Sequence, residues 1–203
     1  ELRESIESIS RRTDFRLNDV FVIDGSKRST KANAYFAGLG KKKRIVLFDT
    51  LIEDLKIKEI VGVLAHEIGH YKKKHIISGL AISFITSAIT LYILSLMVSN
   101  PALSSALGSD QPSFHMGLLA FGILYSPVSA IFGVAGNWIS RKNEYEADHF
   151  AAQHHPAQYL VSALKKLSVK NLSNLRPHPL YVFIHYSHPP LLKRLEKLKN
   201  AEQ

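Results

Sequence analysis

Two histidines four residues apart flank a glutamate in the run His66-Glu67-Ile68-Gly69-His70. On a helix of 3.6 residues per turn, that spacing puts both imidazoles on one face, one turn apart. Two nitrogens so placed can reach one Zn²⁺ at about 2.0–2.1 Å each. Glu67 lies between them and can take a proton from a water at the metal without ligating the ion. The chemistry these three residues imply is metal-assisted hydrolysis of an amide. The surrounding helix is strongly apolar, and two unpaired histidines would be costly to bury there. The chain has no cysteine, which excludes a disulfide framework, a thiolate zinc site and a cysteine nucleophile.

A catalytic zinc needs a third protein ligand and an open position. His75, Glu144, Glu146, Asp148 and His149 are the candidates. Glu144 and Asp148 are four apart and share a helix face. Glu144 can therefore ligate while Asp148 accepts a hydrogen bond from the second nitrogen of a ligand histidine, fixing its tautomer. Glu146 points about 160° away from Asp148 and is expected in solvent. His188, in Ser187-His188-Pro189-Pro190, reads on spacing alone as a structural or capping residue. His154, His155, His178 and His185 carry no spacing argument and are unassigned.

The elements that must position these groups read as mainly α with a small β-sheet, an α+β class. Leu2, Ile6 and Ile9 recur at helical spacing among charges. Val20–Ile23, ending at Asp24-Gly25, then Asn33–Ala37 and Arg44–Phe48 around a Gly38–Lys43 turn, read as three short strands. Asp54 is expected to start the helix that carries Ile57, Ile60, Val61, Leu64 and Ile68 as an apolar stripe together with the histidine pair. From Ile76 to Val98, and again from Phe114 to Ile139, no residue is charged. Each run exceeds the roughly 20 residues that cross about 30 Å of hydrocarbon, so the two read as a transmembrane hairpin. Pro127 is expected to kink the second span. After it a separate helix over Ser140–Gln153, one through Leu160, Leu164 and Leu167, a break at Pro177 and Pro179, and a closing amphipathic helix over Leu191–Leu198 are expected. The chain divides as 1–75 (sheet and zinc helix), 76–139 (hairpin) and 140–203 (the rest of the catalytic unit).

The 203 residues carry a net charge of +9. The basic runs Lys41–Arg44, Lys72–Lys74 and Lys193–Lys199 come with no nucleic-acid motif, so membrane lipid, not nucleic acid, is the expected partner. Lys72–Lys74 and Arg141-Lys142 flank the outer ends of the hairpin, and its linker carries only Asp110. The positive-inside rule then puts the metal site on the cytoplasmic side. The polar start of the chain carries no signal peptide and no initiator methionine, as expected of a piece of a longer protein.

Three further stretches complete a pattern: His66–His70, Glu144-Tyr145-Glu146-Ala147-Asp148 and Tyr186–Arg194 together resemble the type I CAAX prenyl proteases, integral-membrane zinc endopeptidases. Gly25–Arg28, Asn33–Phe36 and Lys43–Thr50 do so as well, and the resemblance runs along nearly the whole chain in order and spacing. It implies a gluzincin-like domain with an inserted transmembrane hairpin and one Zn²⁺ per chain, held by His66, His70 and Glu144, with Glu67 as base. It also implies that His188 contacts the scissile group, that Arg194 lies near the substrate's end, and that the strand Asn33, Ala34, Tyr35, Phe36 holds the substrate as an added strand. The implied reaction removes the C-terminal tripeptide of a prenylated CAAX protein. The membrane would be the endoplasmic reticulum in a eukaryote and the cytoplasmic membrane in a bacterium. Such proteases have about seven spans and this chain has two candidates, so it looks like their C-terminal catalytic portion. Two other readings stand beside this one: a heat-shock-type membrane protease cutting unmodified unfolded chains, and a non-catalytic scaffold or chaperone, against which Glu67 argues.

Overall fold

The computed structural model describes residues 1–15, 17–27, 34–37, 43–109, 111 and 113–201. Helix α1 (Leu2–Arg12) turns Ile6 and Ile9 inward, as their spacing requires. Strands β1 (Leu17–Ile23), β2 (Ala34–Ala37) and β3 (Lys43–Phe48) form one sheet in the order β1-β3-β2, with β1 parallel and β2 antiparallel to β3. Asn33 and residues 38–42 of the expected turn lie outside the described residues. Helix α2 (Asp49–Asp54) follows directly on β3. The Asp49 carboxylate joins the two ends of this layer, accepting the N–H groups of Gly25 and Ser26, each at 3.0 Å.

Asp54 ends α2 and does not open the metal helix. That helix, α3 (Ile57–Lys72), starts after Lys56, whose N–H donates to the Glu59 carboxylate at 2.7 Å. Buried Glu59 also accepts from Ser162 Oγ and Lys166 Nζ, both at 2.6 Å. These donors outweigh the burial that would raise its pKa, and the carboxyl is held below its ordinary value. An N3 glutamate thus does what an Asp cap was expected to do, and locks the helix start to a neighbour as well.

Helix α3 is the centre of the fold. Ile60 and Leu64 pack with Ile6, Ile45, Leu47 and Leu51, while Val61, Ala65 and Ile68 pack with Ala151, Leu160 and Leu198. Each large side chain so buried stabilises the fold by about 1.5–3 kcal/mol. Two glycines set how closely the neighbours approach. A Cβ on Gly62 would stand 3.0 Å from the Leu160 backbone nitrogen, and one on Gly69 would stand 3.0 Å from the Ala147 Cα.

Only Lys73 and Lys74 separate α3 from α4 (His75–Met97), and Lys74 makes the turn in the left-handed region at φ 58°. After α4 and a short α5 (Pro101–Ala106), which opens with Pro101 behind the Asn100 cap, the chain returns as α6. Helix α6 (Phe114–His154) is one unbroken helix of 41 residues, continuous across Pro127. The separate helix expected from Ser140 is its last third, and the division at residues 139 and 140 falls inside it. Hydropathy ends at Ile139, but no residue there interrupts the backbone hydrogen bonds, so composition changes while the helix does not. The most apolar 18-residue stretch of α4 contains no buried residue, and that of α6 is 6 % buried. Core helices of a water-soluble domain would be covered; these present Leu80, Phe84 and Ile131 outward, at 67 %, 77 % and 68 % exposure. They are long and apolar enough to cross a membrane.

Helix α7 (Ala157–Lys170) packs on α3. Pro179 opens helix α8 (Pro179–His185) where a break was expected, since a proline at the first helical position gives up an N–H that has no partner there. His178, unassigned in the sequence, caps it through Nδ1, which accepts the Leu180 N–H at 3.3 Å. Helix α9 (Leu191–Asn200) closes the chain, burying Leu195 and Leu198.

Candidate active site

The apolar stripe of α3 points the metal-motif histidines at α6, and the Gly69–Ala147 contact lets the two helices meet. His66 Nε2 lies 3.1 Å from His70 Nε2 and 3.7 Å from Glu144 Oε2, and His70 Nε2 lies 3.3 Å from Glu144 Oε1. Donors at about 2.0–2.1 Å from a tetrahedral ion stand about 3.4 Å apart. The three measured separations bracket that value. One ligand atom from each residue lies within 4.8 Å of the other two, so the residues fit a metal ion as they stand.

The support beneath them is ionic and buried. Asp148 Oδ1 lies 2.9 Å from His66 Nδ1, although the N–H···O angle is not that of a straight hydrogen bond. Arg194 holds Asp148 with two bonds, Nε to Oδ2 at 2.8 Å and Nη2 to Oδ1 at 2.6 Å, and its Nη1 lies 3.1 Å from Glu144 Oε2. Arg194 is 9 % exposed, which is tolerable for a charge because two carboxylates compensate it. Burial alone would raise both carboxyls. The close approach of His188 and His70 to Glu144, and of His66 and Arg194 to Asp148, holds each below its ordinary value. Glu67 has no such help: burial dominates and pushes its carboxyl up, as suits a group that must accept a proton.

His188 reaches the cluster from the turn before α9. Its Nδ1 lies 3.1 Å from Glu144 Oε1, a contact that raises its pKa, and its side chain is 67 % exposed. Arg194, expected at the substrate's end, spends its guanidinium on the two acids of α6. Ala34, Tyr35 and Phe36 form β2, which pairs on one side only among the described strands and lies against α3; their side chains, and all of Asn33, lie outside the described residues.

Two residues behave differently from their sequence reading. His75, a candidate ligand, places Nδ1 3.0 Å from His70 Nδ1 and stays out of the donor cluster. Glu146, expected in solvent, sits with Oε2 3.2 Å from His75 Nε2. It does face away from Asp148, but the first residue of α4 occupies that side of α6. The five-residue step from His70 to His75 was visible; the left-handed turn at Lys74 that brings His75 back over His70 was not.

A family model described as peptidase family M48 matches residues 1–202. The chain belongs to peptidase family M48. Among curated M48-like relatives, CAAX prenyl protease 1 of Saccharomyces cerevisiae is 38 % identical over 98 % of this chain and 47 % of that protein. The homologue from Dictyostelium discoideum is 40 % identical over 98 % of this chain and 50 % of its own length. The Homo sapiens homologue is 34 % identical over 100 % and 51 %. The crystal structure of S. mikatae Ste24p superposes with a TM-score of 0.86 at 39 % identity, covering 98 % of this M48 chain and 49 % of that one. The chain thus spans about half the length of the relatives it matches.

Proposed function

We propose that this M48 chain forms the catalytic site of a membrane zinc metalloendopeptidase that removes the C-terminal tripeptide of prenylated CAAX proteins. The observation that carries the reading is the convergence of His66, His70 and Glu144, one ligand atom of each lying within 4.8 Å of the other two, with Glu67 between the histidines in sequence. The names of the relatives supply the substrate class.

His66, His70 and Glu144 would hold one Zn²⁺, which when bound would supply Lewis acidity toward a scissile carbonyl and an acidic water near neutral pH. Glu67 takes the proton of the attacking water and passes it to the leaving amine. His188, whose contact with Glu144 favours its protonated form, donates to the oxyanion, a role worth about 3 kcal/mol in comparable sites. Asp148 orients His66, and Arg194 fixes Asp148 and Glu144. The edge of β2 that is unpaired among the described strands receives the substrate backbone as an added strand. A cavity of about 510 Å³ beside His188 and Arg194, walled by Leu164, Leu167 and Tyr186, gives room for a substrate side chain. Basic residues at both outer ends of the hairpin favour a site on the cytoplasmic side of the membrane.

The test compares a farnesylated CAAX peptide with its unmodified twin, using the zinc-loaded chain in detergent. The expected result is preferential cleavage of the farnesylated peptide. Glu67→Gln should retain zinc and lose about 10²–10⁴-fold in rate. Equal cleavage of both peptides would favour the quality-control reading instead, and full activity in Glu67→Gln would remove Glu67 from the mechanism.

A further inference from the structure

The two ligand histidines are backed in unequal ways. His66 has a carboxylate, Asp148, directly behind its Nδ1. Among the described residues, the Nδ1 of His70 meets not an acid but another imidazole, at 3.0 Å, and an acid stands behind that one at 3.2 Å. The rings of His70 and His75 cross at 75° with centroids 5.0 Å apart, so the contact runs nitrogen to nitrogen and is not a stack.

We propose that His75 and Glu146 are positioning residues that fix the tautomer and orientation of His70 through a two-step hydrogen-bond relay. A carboxylate can only accept, so His75 Nε2 must donate to Glu146. A neutral imidazole has one N–H, which leaves His75 Nδ1 as an acceptor. The atom facing it, His70 Nδ1, is therefore the donor. His70 Nε2 then carries the lone pair, and Nε2 is the atom that faces His66 Nε2 and Glu144 Oε1 in the donor cluster. Each proton position follows from the one before it, beginning with Glu146.

The backbone makes the relay possible. His75 is the first residue of α4, and the left-handed Lys74 folds it back against the last turn of α3. It is 9 % exposed, so its ring nitrogens have no ready exchange with bulk water. Glu146 is more open and has Lys142 Nζ 3.8 Å from its other oxygen. The relay links α3, α4 and α6 where the apolar span begins, on the side of α6 opposite to Asp148 and Arg194. Partners behind ligand histidines of this kind change metal affinity about 10–100-fold when removed.

This inference rests on the metal-site reading, and the experiment separates the two. Zinc affinity of the full chain in detergent is measured by competition with a chromophoric chelator, alongside peptide hydrolysis. If the unmodified chain binds no zinc, the metal site itself is wrong and the relay falls with it. If it binds, His75→Phe is expected to weaken zinc about 10–100-fold. His75→Asn, whose amide oxygen replaces the Nδ1 acceptor, should restore most of that loss although it is smaller and fills the site worse. A purely structural role predicts the reverse, with Asn no better than Phe. Glu146→Gln, at a half-exposed position that leaves folding intact, should weaken zinc several-fold, because an amide no longer dictates which nitrogen of His75 is protonated. Zinc binding unchanged in both His75→Phe and Glu146→Gln would overturn the proposal.

Discussion

The membrane hairpin and the metal-bearing unit place their polar and apolar groups in opposite ways. In the hairpin, Phe84 and Ile131 face outward, while the hydroxyls of Thr90 and Tyr125 bond to each other between the helices. In the metal-bearing unit, Ile68 and Leu64 are inside, and the buried charges have opposite partners, Glu144 and Asp148 with Arg194 in one cluster and Glu59 with Lys166 in another. The two regions meet on a single helix, α6, whose first part follows one rule and whose last part follows the other. The outward-facing apolar side chains of the hairpin are of the kind that suits hydrocarbon.

Breaking a buried charge pair is the strongest way to test that contrast. Arg194→Met leaves two carboxylates buried without their cation and should destabilise the chain by about 3–5 kcal/mol, read as a shift in denaturant midpoint with unchanged slope. Zinc should be lost along with it. An intermediate effect is expected at the interface of α3 and α6. Gly69→Ala inserts a Cβ where 3.0 Å is available and should cost about 1–3 kcal/mol, lowering zinc affinity as the donors move apart. If zinc affinity survives unchanged, close approach at Gly69 does not set the donor spacing. The smallest effect belongs to the hairpin. Thr90→Val removes one interhelical hydrogen bond and should cost only about 0.6 kcal/mol by reversible unfolding in mixed micelles. A loss as large as that of Arg194→Met would show that the hairpin depends on polar packing as much as the metal unit does.

Much of the site was legible because local spacing decides it. The step from His66 to His70, and that from Glu144 to Asp148, each fix a helix face before any tertiary contact is known. The two long uncharged runs likewise declare their length against a bilayer. What escaped depends on contacts between distant residues or on a single dihedral. Glu146 reads as solvated because its helix face is opposite to Asp148; only the return of His75, 71 residues earlier, gives that face a partner. The continuity of α6 escaped because a change in hydropathy was taken for a change in backbone. Asp54 and Pro179 were misread for a common reason, since both residue types occur at helix ends and sequence alone does not say which end or which helix.

The unbroken course of α6 makes it a lever. Glu144 lies 30 residues beyond Phe114, about 45 Å along one rod. A tilt of five degrees about the far end displaces it by about 4 Å, more than a ligand-to-ligand spacing. Tilt is how spans adjust to bilayers of different thickness. A change of tilt must therefore either be absorbed along the rod or reach Glu144. Pro127 interrupts the backbone ladder of the rod, and the Ile123 carbonyl that its missing N–H would have met accepts from Ser126 Oγ at 2.9 Å instead. Beyond Pro127, the grip of Arg194 on Asp148 and Glu144 anchors the last part of the helix. The residue expected to kink a span thus lies between the apolar start of α6 and the part that carries Glu144.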